Sequence, residues 1–232
     1  MFEKEFTKNG ISKIRLYSPH EIVQLRSFLK EWISSNFAKQ GVSREVPKDL
    51  STYHKWASAN DIPHERLFSA PFRFCSPSES LKEILLNERV SQIFRRLNLG
   101  NLKLIDEGMG WLGFRIIRPG MNDGYPLSCK DWGASTGAYS FWIPLYGFGS
   151  TYALHYVKGS HLSNFQNFLP TEGKFTKDEF RLHPDEKVKI ESQFVAPGSA
   201  LFFHPKLIHT EDVTSGRKTR LNLEFRFLAE EI

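Results

Sequence analysis

A carboxylate, an imidazole and a guanidinium define the chemistry open to this chain. Asp131 stands in the segment Leu127-Ser128-Cys129-Lys130-Asp131-Trp132, and much later the chain runs through Phe203-His204 to His209 and then Arg220. Asp131 and His209 would supply two thirds of a two-histidine, one-carboxylate site, a donor set that suits iron(II) and leaves coordination positions open. Arg220 presents a flat fork that matches a ligand carboxylate. The position where a second histidine would complete the set, two residues before Asp131, is Cys129, and no histidine lies between His64 and His155. A thiolate binds iron as a softer donor. The commoner role of such a cysteine is that of a small buried hydrophobe.

Each of these residues also has a plainer role. Asp131 alone would cap a turn in Lys130-Asp131-Trp132-Gly133. His209 alone would be a core or surface histidine, and Arg220 a strand-end charge paired with Glu224 or Glu211. Arg115 and Arg118 flank a strand-like segment; Arg115 could reach a substrate anion, and a surface salt bridge is its ordinary reading. Trp132, Tyr139, Trp142 and His155 are candidates to line a pocket, although core packing accounts for aromatic residues equally well.

The elements that would position these groups fall into two halves. Ser18-Pro19-His20-Glu21 is a capping box with proline at the first helical position. Ile22, Leu25, Leu29, Trp32 and Ile33 follow at helical spacing, with Gly41 as a stop. The same opening recurs at Ser76-Pro77-Ser78-Glu79 and predicts helix through Leu81, Ile84 and Leu85, continuing or restarting through Val90, Ile93, Phe94 and Leu97 to Gly100. Residues 41–74 carry prolines, charges and aromatics and read as an irregular connection, a candidate lid. After residue 101 the pattern changes to strands at 111–118, 139–145, 152–157, 188–195, 200–203 and 220–228. In the last of these, Leu221, Leu223, Phe225 and Phe227 alternate with Arg220, Asn222, Glu224 and Arg226. Helices followed by many strands predict an α+β, mainly β domain with a sandwich or jelly-roll core at 101–232 and a mostly helical portion at 1–100.

The 232 residues suit a single domain. A 40% hydrophobic and 25% charged composition excludes a disordered chain, and 14% aromatic residues favour large apolar faces. A net charge of +5 describes a basic surface and is compatible with an anionic small-molecule substrate. The scattered Lys and Arg carry no nucleic-acid recognition motif. With two cysteines far apart, no signal-peptide pattern at the N-terminus and no membrane-length apolar run, the sequence predicts a cytoplasmic protein with reduced thiols. The oligomeric state is not legible.

Three further patterns occur in order: the strand Trp142-Ile143-Pro144-Leu145, the turn Gly159-Ser160-His161, and the turn Pro197-Gly198 before an apolar strand. Together with Asp131, His209 and Arg220, they resemble the phytanoyl-CoA dioxygenase family of iron(II)- and 2-oxoglutarate-dependent oxygenases. The resemblance implies a double-stranded β-helix (jelly roll, cupin-like) with N-terminal helices packed on one sheet. It implies Asp131 and His209 as iron ligands and Arg220 as the partner of the 2-oxoglutarate carboxylate. It also implies oxidative decarboxylation coupled to hydroxylation of a small metabolite or a sugar- or lipid-linked intermediate. Cys129 departs from the family pattern, which has histidine there. Either Cys129 serves as a ligand, a histidine from elsewhere (His155, His161 or His204) completes the site, or the site is weak or lost. In the last case the chain would be a non-catalytic jelly-roll protein that binds a small molecule or a partner.

Overall fold

The structure is a computed structural model. It describes residues 2–67, 73–100, 102–106, 110–121, 123, 128–130, 137–162, 169–170, 179–181, 189–210 and 216–229. Helix α1 (Phe2–Asn9) leads into strand β1 (Ile11–Arg15), and α2 (Pro19–Lys39) is the long helix foreseen from the capping box. Both arms of the box are made: the Glu21 main-chain N–H donates to Ser18 Oγ, and the Ser18 N–H donates to the Glu21 carboxylate. Ile22, Leu25, Leu29, Ile33 and Phe37 form the buried face of α2. Gly41, at φ +77°, ends it in a conformation that costs glycine little.

The connection at 41–74 is more regular than the sequence suggested. It holds a 3-10 turn (Leu50–Thr52), α3 (Tyr53–Ala59) and α4 (His64–Leu67) before β2 (Phe74–Cys75). The next helix, α5 (Glu79–Leu85), starts two residues later than the repeated Ser-Pro motif predicts. Its N-cap is Ser78, while Ser76 Oγ donates to Asp106 instead. Asn87 caps a fresh helix, α6 (Glu88–Leu97), which ends on Asn98 in the left-handed region at φ 53°.

The remaining strands are β3 (Leu102–Leu104), β4 (Leu112–Ile117), β5 (Ser128–Lys130), β6 (Ala138–Tyr146), β7 (Leu154–Val157), β8 (Leu169–Pro170), β9 (Glu179–Arg181), β10 (Ile190–Gln193), β11 (Ser199–Phe203), β12 (His209–Thr210) and β13 (Arg220–Ala229). They form two antiparallel sheets. One runs β1-β11-β6-β13-β4-β2 with β3 also on β13, and the other runs β10-β7-β12-β5-β9-β8. The first hundred residues are therefore not only a helical cover, because β1 and β2 are the edges of the larger sheet. The helices do pack on one face of that sheet: Trp32 stacks on Phe114 at 4.1 Å, and Leu221, Leu223, Phe225 and Phe227 join the same core as the α2 residues. The opposite face meets the second sheet through Ile11, Trp142, Leu201 and Phe203 on one side and Leu154 and Tyr156 on the other.

Both faces of β13 are thus covered. Its alternation was legible, but its polar residues Arg220, Asn222 and Arg226 are buried as well. Next to Arg220 the ladder with β6 shifts register between Leu221 and Asn222, which pair with Tyr146 and Pro144. Proline has no N–H to give a central ladder, so a bulge at this point is expected. Among the described residues no helix is long and apolar enough to cross a membrane.

Replacing Ser18 by alanine removes one arm of the capping box and is expected to lower stability by about 1 kcal/mol. Urea unfolding with an unchanged slope checks this.

Candidate active site

His209 is held from three directions. Its own Nδ1 lies 2.9 Å from the Leu207 carbonyl. That contact requires Nδ1–H as donor and leaves the lone pair on Nε2, the tautomer a metal ligand needs. The residue before it is clamped at both main-chain groups: Val157 N–H donates to the Ile208 carbonyl at 2.9 Å, and Ile208 N–H donates to Ser160 Oγ at 2.8 Å. The Phe203 ring sits 4.7 Å from the imidazole. Ser160 thus has a specific task in the Gly159-Ser160-His161 turn, which residue type alone did not reveal.

The ladder brings the first candidate segment alongside. His209 pairs with Tyr156 on one side and with Ser128 on the other, so β12 is the strand between β7 and β5. Cys129 is the next residue along β5, where its backbone pairs with Phe180. Asp131 and Trp132 follow β5 and lie outside the described residues. Among the described residues no three His, Cys, Asp or Glu side chains converge on one point.

Arg220 opens β13 opposite Ile117 of β4. It is 1% exposed, and its guanidinium carbon is 5.8 Å from the centre of the Trp142 ring. Trp142 belongs to the core between the sheets, so Arg220 faces that interior and not the helices. Arg115 corrects the surface reading: it is 9% exposed, and its Nε lies 3.6 Å from Glu224, the partner the sequence had offered to Arg220. Two pocket candidates move elsewhere. Tyr139 stacks on Phe202 at 5.6 Å and packs near Phe6 on the helix side of the sheet. His155 lies between Leu154 and Tyr156, both in the inter-sheet core, so strand alternation turns it to the other face.

The other substitute ligands have structural partners. His161 Nε2 is 3.1 Å from the Thr7 carbonyl, and its ring lies 5.0 Å from that of His204. His204 Nδ1 accepts the Lys206 N–H at 3.1 Å. Burial, helped by the neighbouring His161 and Lys206, pushes His204 down to about 4. The remaining thiol described, Cys75, is free, and burial pushes it up to about 12.

A second polar group ties the connection before β2 to the segment leading into β5. Arg118 Nε and Nη2 grip the Asp123 carboxylate at 2.8 Å each, and Nη2 also reaches Glu65 at 2.7 Å. His64 Nε2 lies 3.7 Å from Asp123, and its Nδ1 is 3.1 Å from the Tyr53 hydroxyl. Burial raises the Asp123 carboxyl, but the Arg118 fork outweighs it and holds the group below the usual carboxylate range. Burial pushes His64 down to about 4 despite the attraction of Asp123. His64 is therefore neutral at neutral pH. Arg118 was visible as a strand-flanking charge, but its partners come from remote segments with no local signature.

No family model matches the sequence. No curated protein matches it either. Solved structures share its fold. The non-heme alpha ketoglutarate dependent carbocyclase SnoK from nogalamycin biosynthesis is 15% identical, with a TM-score of 0.57 over 97% of this chain and 82% of that one. EvdO2 from Micromonospora carbonacea var. aurantiaca is 13% identical, with a TM-score of 0.61 over 100% of this chain and 91% of that one. The non-heme monooxygenase ThoJ is 13% identical, with a TM-score of 0.64 over 99% of this chain and 77% of that one. EvdO2 is also known in complex with 2-oxoglutarate. The fold is thus one used by non-heme, 2-oxoglutarate-dependent enzymes.

Two outcomes follow from this geometry. Ser160→Ala leaves the buried Ile208 N–H without its acceptor and is expected to cost about 1–3 kcal/mol in denaturant unfolding. His64 titrates near its ordinary value of about 6.5 when unfolded and much lower when folded. Between those values the unfolded chain binds the extra proton, so the stabilisation is complete above about pH 6.5 and is lost as pH falls toward 4, by on the order of 3 kcal/mol. Unfolding free energies across that window should show the slope, and His64→Gln should flatten part of it.

Proposed function

We propose that this chain is an iron(II)- and 2-oxoglutarate-dependent oxygenase, a single domain over 1–232 built as a double-stranded β-helix. It would hydroxylate a small, anionic metabolite or a sugar- or lipid-linked biosynthetic intermediate. The observation that carries this reading is the β12–β5 ladder, with His209 opposite Ser128, combined with the burial of Arg220 beside Trp142 between the same two sheets. The donor types fit the group: the tautomer set by Leu207 turns a lone pair to Nε2, and Asp131 comes next in sequence after the neighbouring strand.

In this reading His209 Nε2 and the Asp131 carboxylate hold the metal, and Cys129 is the candidate third ligand. When bound, the iron supplies the oxidising chemistry, in which 2-oxoglutarate, dioxygen and a substrate C–H bond become succinate, carbon dioxide and a C–OH group. Arg220 holds the distal carboxylate of 2-oxoglutarate through its fork, and the face of Trp142 keeps the guanidinium in place. Leu154, Tyr156, Leu201, Phe203 and Leu207 keep water from the interior beside His209. SnoK acts in nogalamycin biosynthesis, and a secondary-metabolite substrate fits the same fold here.

A second reading rests on Cys129. With a thiol where a histidine would complete the ligand set, the chain could keep the fold and the cavity and bind a small molecule or a partner without turnover. Anaerobic titration with iron(II) and 2-oxoglutarate separates the two. The oxygenase gives a weak visible charge-transfer band, and in air it forms succinate. Absence of both, with no iron in a metal analysis, selects the second reading. Arg220→Lys keeps the charge but loses the fork. It should weaken 2-oxoglutarate binding by about tenfold or more, with little change in the unfolding midpoint; an unchanged affinity removes Arg220 from this role. If Cys129→His creates iron binding where there was none, the native site is lost. If it weakens existing turnover, the thiol is a working ligand.

A further inference from the structure

The cleft at the start of β13 has no part in the reading above. It measures about 440 Å³ and opens on the helix side of the larger sheet, where α2, the 3-10 turn at 50–52, the end of β6 and the segment before β13 meet. Three cations line it: Arg26, Arg217 and Lys218. So do three aromatic rings: Tyr146, Phe148 and Tyr152. We infer that this cleft is a second ligand site that takes a phosphate monoester carried on a small ring-bearing molecule.

The cleft owes its shape to the Pro144 bulge. Leu145 and Tyr146, although adjacent, both pack on the helix-side core, so Tyr146 has left the inward-outward alternation of β6. The main chain at the bulge also supplies an anchor: Leu145 O accepts from Arg26 Nε at 2.9 Å. That bond places the Arg26 guanidinium 4.8 Å from the centre of the Tyr146 ring and 5.6 Å from that of Phe148. An arginine fixed at Nε against two rings is pre-oriented, so less entropy is lost when it binds an anion. On the far wall, Lys218 N–H donates to Tyr152 Oη at 2.8 Å and fixes that ring against the loop.

Charge selects the ligand class. Among the described residues the only carboxylate in the lining is Asp49, whose oxygens already accept from the Ser51 N–H at 2.9 Å and the Ser51 hydroxyl at 2.7 Å. Among the described lining residues, three cations against one carboxylate leave an excess of two positive charges, which a phosphate monoester dianion matches. The three rings add apolar walls for a flat or sugar-like body, and the volume suits a ligand of mononucleotide size.

The site is distinct from the Arg220 interior. Arg220 faces Trp142, whereas Leu221 beside it faces the helices, and neither Arg220 nor Trp142 lines the cleft. Gly147 closes the partition. A Cβ there would lie 2.9 Å from Arg220 Cα and from the Thr219 carbonyl oxygen, and its φ is +70°, so only glycine lets the two chains meet this closely.

Calorimetric titration of the whole protein with adenosine 5′-monophosphate tests the inference, with adenosine and inorganic phosphate as the two partial probes. The nucleotide should bind, and each partial probe should bind at least about tenfold more weakly. The double variant Arg217→Ala/Lys218→Ala changes two exposed side chains and should keep the wild-type unfolding midpoint while losing at least about tenfold in nucleotide affinity. Excess 2-oxoglutarate should not displace the nucleotide, and Arg220→Lys should leave its binding intact. Failure of wild-type protein to bind the nucleotide, equal affinity for adenosine, or an unchanged affinity in the double variant overturns the inference. Displacement by 2-oxoglutarate also overturns it, because the nucleotide would then be occupying the interior. A protein that binds no iron would leave every one of these readouts unaffected.

Discussion

The structure depends on keeping cationic side chains buried along the inner face of one strand. Removing a guanidinium from water costs several kcal/mol unless other groups take the place of its hydration shell. β13 does this in a sheet covered on both faces: apolar residues turn to the helices, and Arg220 and Arg226 turn to the second sheet. Within the described residues, the Arg115–Glu224 ion pair and the Trp142 face are part of what offsets that cost. An inner face of this kind has little value for stability, since apolar residues of similar volume would pack at no electrostatic cost. In the proposed function its value is to present fixed positive charge to the 2-oxoglutarate carboxylate.

That interior is organised around His209. The imidazole is on a two-residue strand, too short to hold itself, and its precision comes from its neighbours. Ser160 and Val157 hold Ile208, Leu207 sets the tautomer, and β7 and β5 hold the strand on either side. The Gly159-Ser160-His161 turn is tied in its own right to the N-terminal segment, through Gly159 N–H to Asn9 O and His161 to Thr7 O. The first ten residues therefore support the site at a distance. The Arg118–Asp123–His64–Tyr53 group does comparable work on the other side, joining the short helices α3 and α4 to the chain that enters β5. A neutral His64 suits that place, because it can meet the Tyr53 hydroxyl at 3.1 Å and lie beside Asp123 without adding a charge to be solvated.

One proline links the interior to the outer cleft. Pro144 interrupts the central ladder, and the resulting bulge puts Tyr146 on the helix side, exposes a carbonyl to Arg26 and brings Gly147 against the first residue of β13. The two surfaces are separated by a single strand.

Local signals in the sequence were read correctly where one segment contains its own explanation. The Ser18 box, the apolar stripe of α2 and the two-residue alternation of β13 all depend on neighbours within a turn or a pleat. Residues 41–74 were misread as irregular because α3 and α4 are too short for periodicity to register, and they are held by tertiary contacts such as Thr219 to His54. Alternation separated the two faces of β13 but could not say that both are covered, and on the neighbouring β4 Arg115, whose ordinary reading was a surface salt bridge, is buried beside Glu224. Asp131 and Trp132 remain expectations of the sequence. By itself, then, the sequence determined the long helix and the main strands, the residue types able to hold a metal and a carboxylate, and the anomaly at Cys129. Only the tertiary structure decided that β12 lies beside β5, that Arg220 faces inward and that a basic, aromatic cleft forms behind it. Those facts are pairings between remote segments, set by sheet register and by the burial of both faces, and no local pattern encodes them.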